Sequence, residues 1–378
     1  MLMLEINEEE ATPQPLGEPR WDWSSVRRVL IVRLRSIGDT VLSTPSLYAL
    51  RRFLPHAQID VLLEDWIAPL LDGFEDVDNV IVVKRKDTKA RIRLAHALRS
   101  TGYDVAYNLH GGTTATFLIR ASGARYRVGF KGYRYGFLYN HLAPSSSELW
   151  RRERTHSVEQ QLALLGWTGV PVSDRPQTRL AVTERAKASV ENKLKATKFS
   201  CEQPFALIHP AAAFESKQWS TKNFARVVEE LKTKNISSIA VAAPHEEAVI
   251  EELKKESNAP IVGFTDLRLS EITALASLSE LFVGNDSGIA HIAAAVQTPC
   301  VVIFGSSNAD HWRPWTNAPN EIVREEMACA PCPGYTCSEF ERPECIRRIT
   351  VERVTAAIKK VLKENNSKNE MKKAGLIG

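Results

Sequence analysis

Apolar positions first gather in Arg28-Val29-Leu30-Ile31-Val32-Arg33-Leu34, a nearly continuous run of the kind that forms a strand buried on both faces of a parallel sheet. Strand-like segments near Ile59 to Leu63, Val80 to Val83 and Asp104 to Leu109 follow, separated by helical patterns at Thr40 to Phe53 and Thr88 to Ser100. Strands alternating with helices predict βαβ units around a parallel sheet. The alternation lapses at Pro171 to Gln177, a linker rich in turn formers, and then restarts. Helical Thr183 to Ala196 precedes strands at Phe205 to His209, Ser238 to Ala242, Leu281 to Gly284 and Cys300 to Phe304. Helices are predicted near Thr221 to Leu231, His245 to Ser257, Leu269 to Leu278 and Ser287 to Val296. The expected fold class is α/β, with similar halves at 26–175 and 176–350 facing across a cleft, where such sheets bind ligands. Residues 1–25, acidic and aperiodic at the start, are expected to be a mobile extension. Segment 351–378 is expected to hold a last helix, about Thr350 to Lys363, and then a disordered tail.

The length of 378 residues also favours two domains over one core. No apolar run is long enough for a transmembrane helix, and the start lacks the basic and apolar regions of a signal peptide, so a cytoplasmic address is expected. Six cysteines in that compartment are expected to be thiols or metal ligands, with Cys201 and Cys300 as small buried apolar residues. A net charge of +4 is too slight to imply nucleic acid. Its distribution is uneven, however, with Arg120, Arg125, Arg127, Lys131, Arg134, Arg151, Arg152 and Arg154 close together. That cluster is either a solvated face or a docking surface for a polyanion or an anionic membrane leaflet.

The richest candidate for chemistry is Val283-Gly284-Asn285-Asp286-Ser287-Gly288-Ile289-Ala290-His291, where a strand stops and a helix starts. The first N–H groups of such a helix have no intrahelical partners and can receive a phosphate. Ser287 adds a hydroxyl, Gly288 permits close approach, and His291 lies one turn beyond Ser287 on the same face. In the first half Asp39 follows Arg35-Ser36-Ile37-Gly38 at another helix start. It can cap that helix or accept a proton from an attacking hydroxyl, although the helix dipole keeps its pKa low. Lys217, on a strand-to-helix loop, can offset charge on a leaving phosphate, while Trp219 is expected to be a packing anchor. Glu246 can bind ribose hydroxyls or serve as a first-turn acid. Dinucleotide, P-loop, serine-hydrolase and zinc-protease motifs are absent. Cys329, Cys332, Cys337 and Cys345 are either a structural zinc site or a thiol-rich loop.

Taken together, Arg33 to Pro45, Lys217-Gln218-Trp219, Pro244-His245-Glu246-Glu247 and Gly284 to His291 resemble the ADP-heptose:lipopolysaccharide heptosyltransferases, glycosyltransferase family 9. The resemblance spans about Arg28 to Lys363. It implies a GT-B architecture of two Rossmann-like domains, the first binding the acceptor and the second the nucleotide sugar. It implies Asp39 as base, Lys217 with Asp286, Ser287, Gly288 and His291 at the diphosphate, and Glu246 at the nucleoside. The implied reaction is inverting transfer of heptose from ADP-heptose to an anionic glycolipid core at the membrane face, with no metal required for catalysis. Arg120, Arg125, Arg127 and Arg134 would meet the acceptor, and the last helix would cross back to the first domain. A nucleotide-sugar epimerase of the same architecture and a catalytically silent nucleotide-sugar-binding protein are the alternatives.

Overall fold

A computed structural model describes residues 12–84, 87–197, 199, 203–332 and 336–373. The first half contains β1 (Arg28–Leu34), β2 (Gln58–Glu64), β3 (Asn79–Val83), β4 (Val105–Asn108), β5 (Tyr126–Phe130) and β6 (His141–Ala143). They form a six-stranded sheet in the order β3-β2-β1-β4-β5-β6. The second half contains β7 (Phe205–His209), β8 (Ser237–Val241), β9 (Ile261–Phe264), β10 (Leu281–Asn285), β11 (Cys300–Phe304) and β12 (Asn320–Arg324). Its order, read from the β9 edge, is β9-β8-β7-β10-β11-β12, the same winding as the first sheet. Every strand pair is parallel. Both sheets therefore reverse their winding between their first and fourth strands, and the crevice beyond those strand ends is where such folds place ligands.

Strand alternation divides the core. Val29 and Ile31 of β1 face one cluster and Leu30, Val32 and Leu34 the other, the latter covered by Leu98, Leu118 and Ile119. The first of these clusters continues into the second half through Phe205, Leu207, Phe282 and Val302, so apolar packing joins the two domains. The opposite face of the second sheet, with Ile208, Val283 and Ile303, is covered by Phe224 and Val227 and by Val354, Ile358 and Val361.

Those last three residues belong to the helix Val351–Lys373 and correct two expectations. Spaced i, i+4, i+7, they form an apolar stripe that already has a sheet to cover, so the helix stays on the second domain and does not cross back. It also continues through residues 364–369, which were expected to fray. A third correction concerns residues 12–25, which pack on the first domain. Leu16 donates its N–H to Gly166 at 3.0 Å, Trp23 Nε1 donates to Thr168 O at 2.9 Å, and Trp21 stacks on Tyr126 with centroids 4.5 Å apart. Aromatic area in this segment offsets the polar composition that made it read as mobile. No helix among the described residues is long and apolar enough to cross a membrane.

Candidate active site

Asp39 sits in the first turn of the helix Ile37–Val41, which leaves the carboxyl end of β1. Its Oδ2 accepts from Ser36 Oγ at 2.8 Å, and Oδ1 pairs with the buried Arg33, whose guanidinium also donates to Leu109 O. Burial pushes the Asp39 carboxyl up, but Arg33, the Ser36 hydrogen bonds and His291 outweigh it and hold the group below the ordinary carboxylate value. The capping role and the cleft-facing role are thus combined in one side chain. Asp39 also lines a cavity of about 250 Å³ with Arg33, Arg35, His110, Tyr133, Gln160 and Gln161, closed from the other domain by His311 and Trp312.

In the second domain, Lys217 Nζ donates to Asp286 Oδ2 at 2.8 Å, and Ser307 Oγ donates to the same oxygen at 2.5 Å. Lys217 rides on a short turn, Glu215–Lys217, fixed from below because Ser306 N–H donates to Ser216 O at 3.1 Å. Asp286 precedes the helix Gly288–Ala295, whose N-cap residue, Ser287, makes no side-chain capping bond. The Ser287 Oγ and the His291 Nδ1 are both buried without a hydrogen-bond partner. Burial pushes the His291 imidazole down, with Lys217 adding to that and Asp286 and Asp39 opposing it, which favours the neutral ring. Unpaired buried polar atoms beside unpaired helix N–H groups are costly unless a ligand satisfies them.

The two helix starts touch. A Cβ on Gly288 would lie 2.6 Å from Ile37 Cβ, and one on Gly38 would lie 2.7 Å from His291 Cδ2. Two glycines therefore allow the loops after β1 and β10 to meet, and His291 at that junction feels Asp39 from the first domain and Asp286 and Lys217 from the second. In the turn after β8, Glu246 accepts from Ala243 N–H at 2.9 Å, a first-turn role that occupies Oε2.

The sequence model of glycosyltransferase family 9 (heptosyltransferase) matches residues 91–341. The chain belongs to this family. It is similar to lipopolysaccharide heptosyltransferase 3 of Escherichia coli K12, 27% identical over 348 residues, covering 88% of this chain and 97% of the relative. Among solved structures it resembles E. coli ADP-heptose lps heptosyltransferase II, with a TM-score of 0.75, 23% identity, and 90% and 99% of the two chains covered. E. coli heptosyltransferase WaaC with ADP-2-deoxy-2-fluoro heptose aligns with a TM-score of 0.65 at 18% identity, covering 88% and 99%. The architecture is GT-B and the protein is a glycosyltransferase.

In this family 9 enzyme the four arginines expected at the acceptor lie outside the cavity lining. Arg127 is spent on Leu138 O and Ala124 O at 2.9 Å each, and Arg125 stacks over Tyr126. Arg120 and Arg134 are exposed. The cavity instead uses Arg33, Arg35, His110, Tyr133, Gln160, Gln161, His311 and Trp312, none of them given a role of its own from sequence. His110 Nδ1 is another buried atom without a partner, and burial with Arg33 nearby pushes its imidazole down. Trp219 is fully buried and donates Nε1 to Ile349 O at 2.8 Å, as a packing anchor does. Cys300 is fully buried, whereas Cys201 lies outside the described residues. The sulfurs of Cys329, Cys332, Cys337 and Cys345 belong to residues lining one small cavity with Ser216 and Ser306. Among the described residues, however, no three His, Cys, Asp or Glu side chains are grouped to hold a metal ion.

Proposed function

We propose that this enzyme transfers heptose from ADP-heptose, with inversion, to a hydroxyl of an anionic inner-core glycolipid. The observation that carries the proposal is the contact of the helix start that bears Asp39 with the helix start that bears Ser287 and His291, with His291 feeling both Asp39 and Lys217. The acceptor glycan occupies the cavity beside Asp39, with Arg35 available to its anionic groups and His110 and Gln161 to its hydroxyls. The attacking hydroxyl gives its proton to Asp39 as its oxygen bonds to the sugar C1, and the bond from C1 to the diphosphate breaks on the opposite face. ADP leaves with the electron pair.

The leaving charge is met by Lys217, by the first N–H groups of the helix Gly288–Ala295, and by the Ser287 hydroxyl. A carboxylate cannot donate to phosphate, so Asp286 serves by aiming Lys217 and Ser307. Gly288 lets the loop after β1 close against this helix start, and neutral His291 supplies a ring N–H from behind. Glu246 keeps Oε1 for ribose hydroxyls. Arg120 and Arg134 would act outside the cavity, toward the anionic groups of an acceptor held at the membrane. The reaction is proposed to run without a metal ion. A structural zinc at the four thiols is a separate proposal, supported by their shared cavity and by the CxxC pair. It would require the sulfurs to draw together, and metal-free protein of full stability removes it.

Resemblance to E. coli ADP-heptose lps heptosyltransferase II and to WaaC with ADP-2-deoxy-2-fluoro heptose supports the donor. The test is release of ADP from ADP-heptose with and without an inner-core acceptor. Acceptor-dependent release with a new glycosidic bond supports transfer. Conversion of the donor alone to an isomer identifies an epimerase, and binding without turnover identifies a silent binding protein.

A further inference from the structure

The first domain carries an exposed aromatic patch that no step of transfer uses. Phe137, at 81% exposure, is the most exposed large hydrophobic side chain among the described residues, and Phe117 is 52% exposed. Tyr135 joins them, its ring centroid 5.4 Å from Phe117 and 6.2 Å from Phe137. Two elements present these rings. The helix Thr113–Ala121 turns Thr114, Phe117 and Arg120 to solvent on one face. The short turn Gly136–Leu138 carries Phe137, after Tyr135 adopts a left-handed backbone with φ 61°.

Cations surround the rings. Arg120, Lys131 and Arg134 are exposed, Arg134 lies over the Tyr135 ring at 5.2 Å, and among the described residues none of the three forms an ion pair with a carboxylate. The chain has no acidic residue from Val105 to Ser147, and Glu148 is the first to feel Lys131. Single exposed apolar residues need no explanation, but a cluster of aromatic rings flanked by cations that form no ion pair matches an anionic bilayer surface, with rings at the headgroup level and cations on phosphates.

We infer that Phe117, Tyr135 and Phe137, flanked by Arg120, Lys131 and Arg134, dock the first domain onto a membrane rich in anionic phospholipid. The position fits the acceptor cavity, because Tyr133 lines that cavity two residues before Tyr135. A glycolipid could keep its chains in the bilayer while its sugar reaches Asp39. That last point rests on the function proposed above; the docking itself does not.

The full chain is mixed, without substrates, with vesicles of phosphatidylethanolamine and phosphatidylglycerol, or of phosphatidylcholine alone, and sedimented. Binding is expected on the anionic vesicles, falling as salt rises, and absent on the neutral ones. Phe117→Ser with Phe137→Ser should weaken it by about tenfold or more, since each ring loses its apolar burial. ADP affinity and Tm of that double variant should match wild type, which shows that the fold is kept. Equal binding to both vesicle types, no binding to either, or anionic binding unchanged in the double variant overturns the inference. So does binding that soluble polyphosphate removes equally from wild type and double variant. Failure of ADP-heptose as donor leaves every one of these outcomes readable.

Discussion

At the scale of residues, Asp39 is held by the partners that also limit its basicity. A carboxylate must be ionised to take a proton, so with Asp39 as the proposed base activity is present above its folded pKa and lost as pH falls through it. With Arg33 in place that pKa lies below the ordinary 3.8, and kcat/KM should show no acid limb attributable to Asp39 above that value. Arg33→Gln leaves burial as the leading influence and should move the limb upward, toward neutral pH. A pH profile unchanged by this substitution separates Arg33 from Asp39. Lys217→Ala should weaken ADP binding and lower kcat together, by about 10²-fold or more in transfer, because it removes a cation from the leaving group. Kinetics and ADP titration at wild-type values would take Lys217 out of the site. Asp39, Lys217, Ser287 and His291 stood out in the sequence because each follows an apolar strand at a helix start. His110-Gly111-Gly112-Thr113 has the same plan after β4, and could have been found by it. Gln160, Gln161, His311 and Trp312 carry no such local signal; only the folding of distant segments brings them to the cavity.

Among elements, the central strands β1, β2, β4, β7, β8, β10 and β11 were legible as apolar runs, since burial on both faces leaves little room for polar residues. The edge strand β3 was legible too, as Val80 to Val83; the edges β6, β9 and β12, with half-buried positions, were not, nor was β5, which carries Arg127 and Gly129. The apolar stripe of the last helix was legible, whereas its target face was not. The close approach of the two helix starts depends on backbone with no side chain. Gly288→Ala would press its methyl onto Ile37, so it should cost about 1–3 kcal/mol of stability. Because the same movement parts Asp39 from Lys217, kcat should fall more than ADP affinity does. Thermal unfolding together with kinetics checks this, and wild-type values for both would show that the contact is slack.

For the whole molecule, two sheets of the same winding meet at their switch points, and the loop around His311 to Trp315 seals the first domain's cavity. His156 ties that seal to the first domain: its Nε2–H donates to Arg313 O at 2.8 Å, while its Nδ1 accepts from Val158 N–H at 3.1 Å. Burial pushes its pKa down to about 3, with the Arg313 carbonyl bond opposing. A depressed histidine pKa means that the unfolded chain binds the proton first. The contribution of His156 is therefore complete above the ordinary value of 6.5 and is lost as pH falls from there toward 3. Tm should drop across that window, and His156→Asn should flatten the dependence; an equal drop in the variant would assign it elsewhere. In the proposed reaction one carboxylate from the first domain acts on a sugar diphosphate held by the second. The decisive measurement is kcat for transfer from ADP-heptose to an inner-core acceptor in Asp39→Ala, taken beside ADP affinity. A fall in kcat of about 10²-fold or more with nearly unchanged ADP binding is predicted; wild-type turnover in that variant would contradict it.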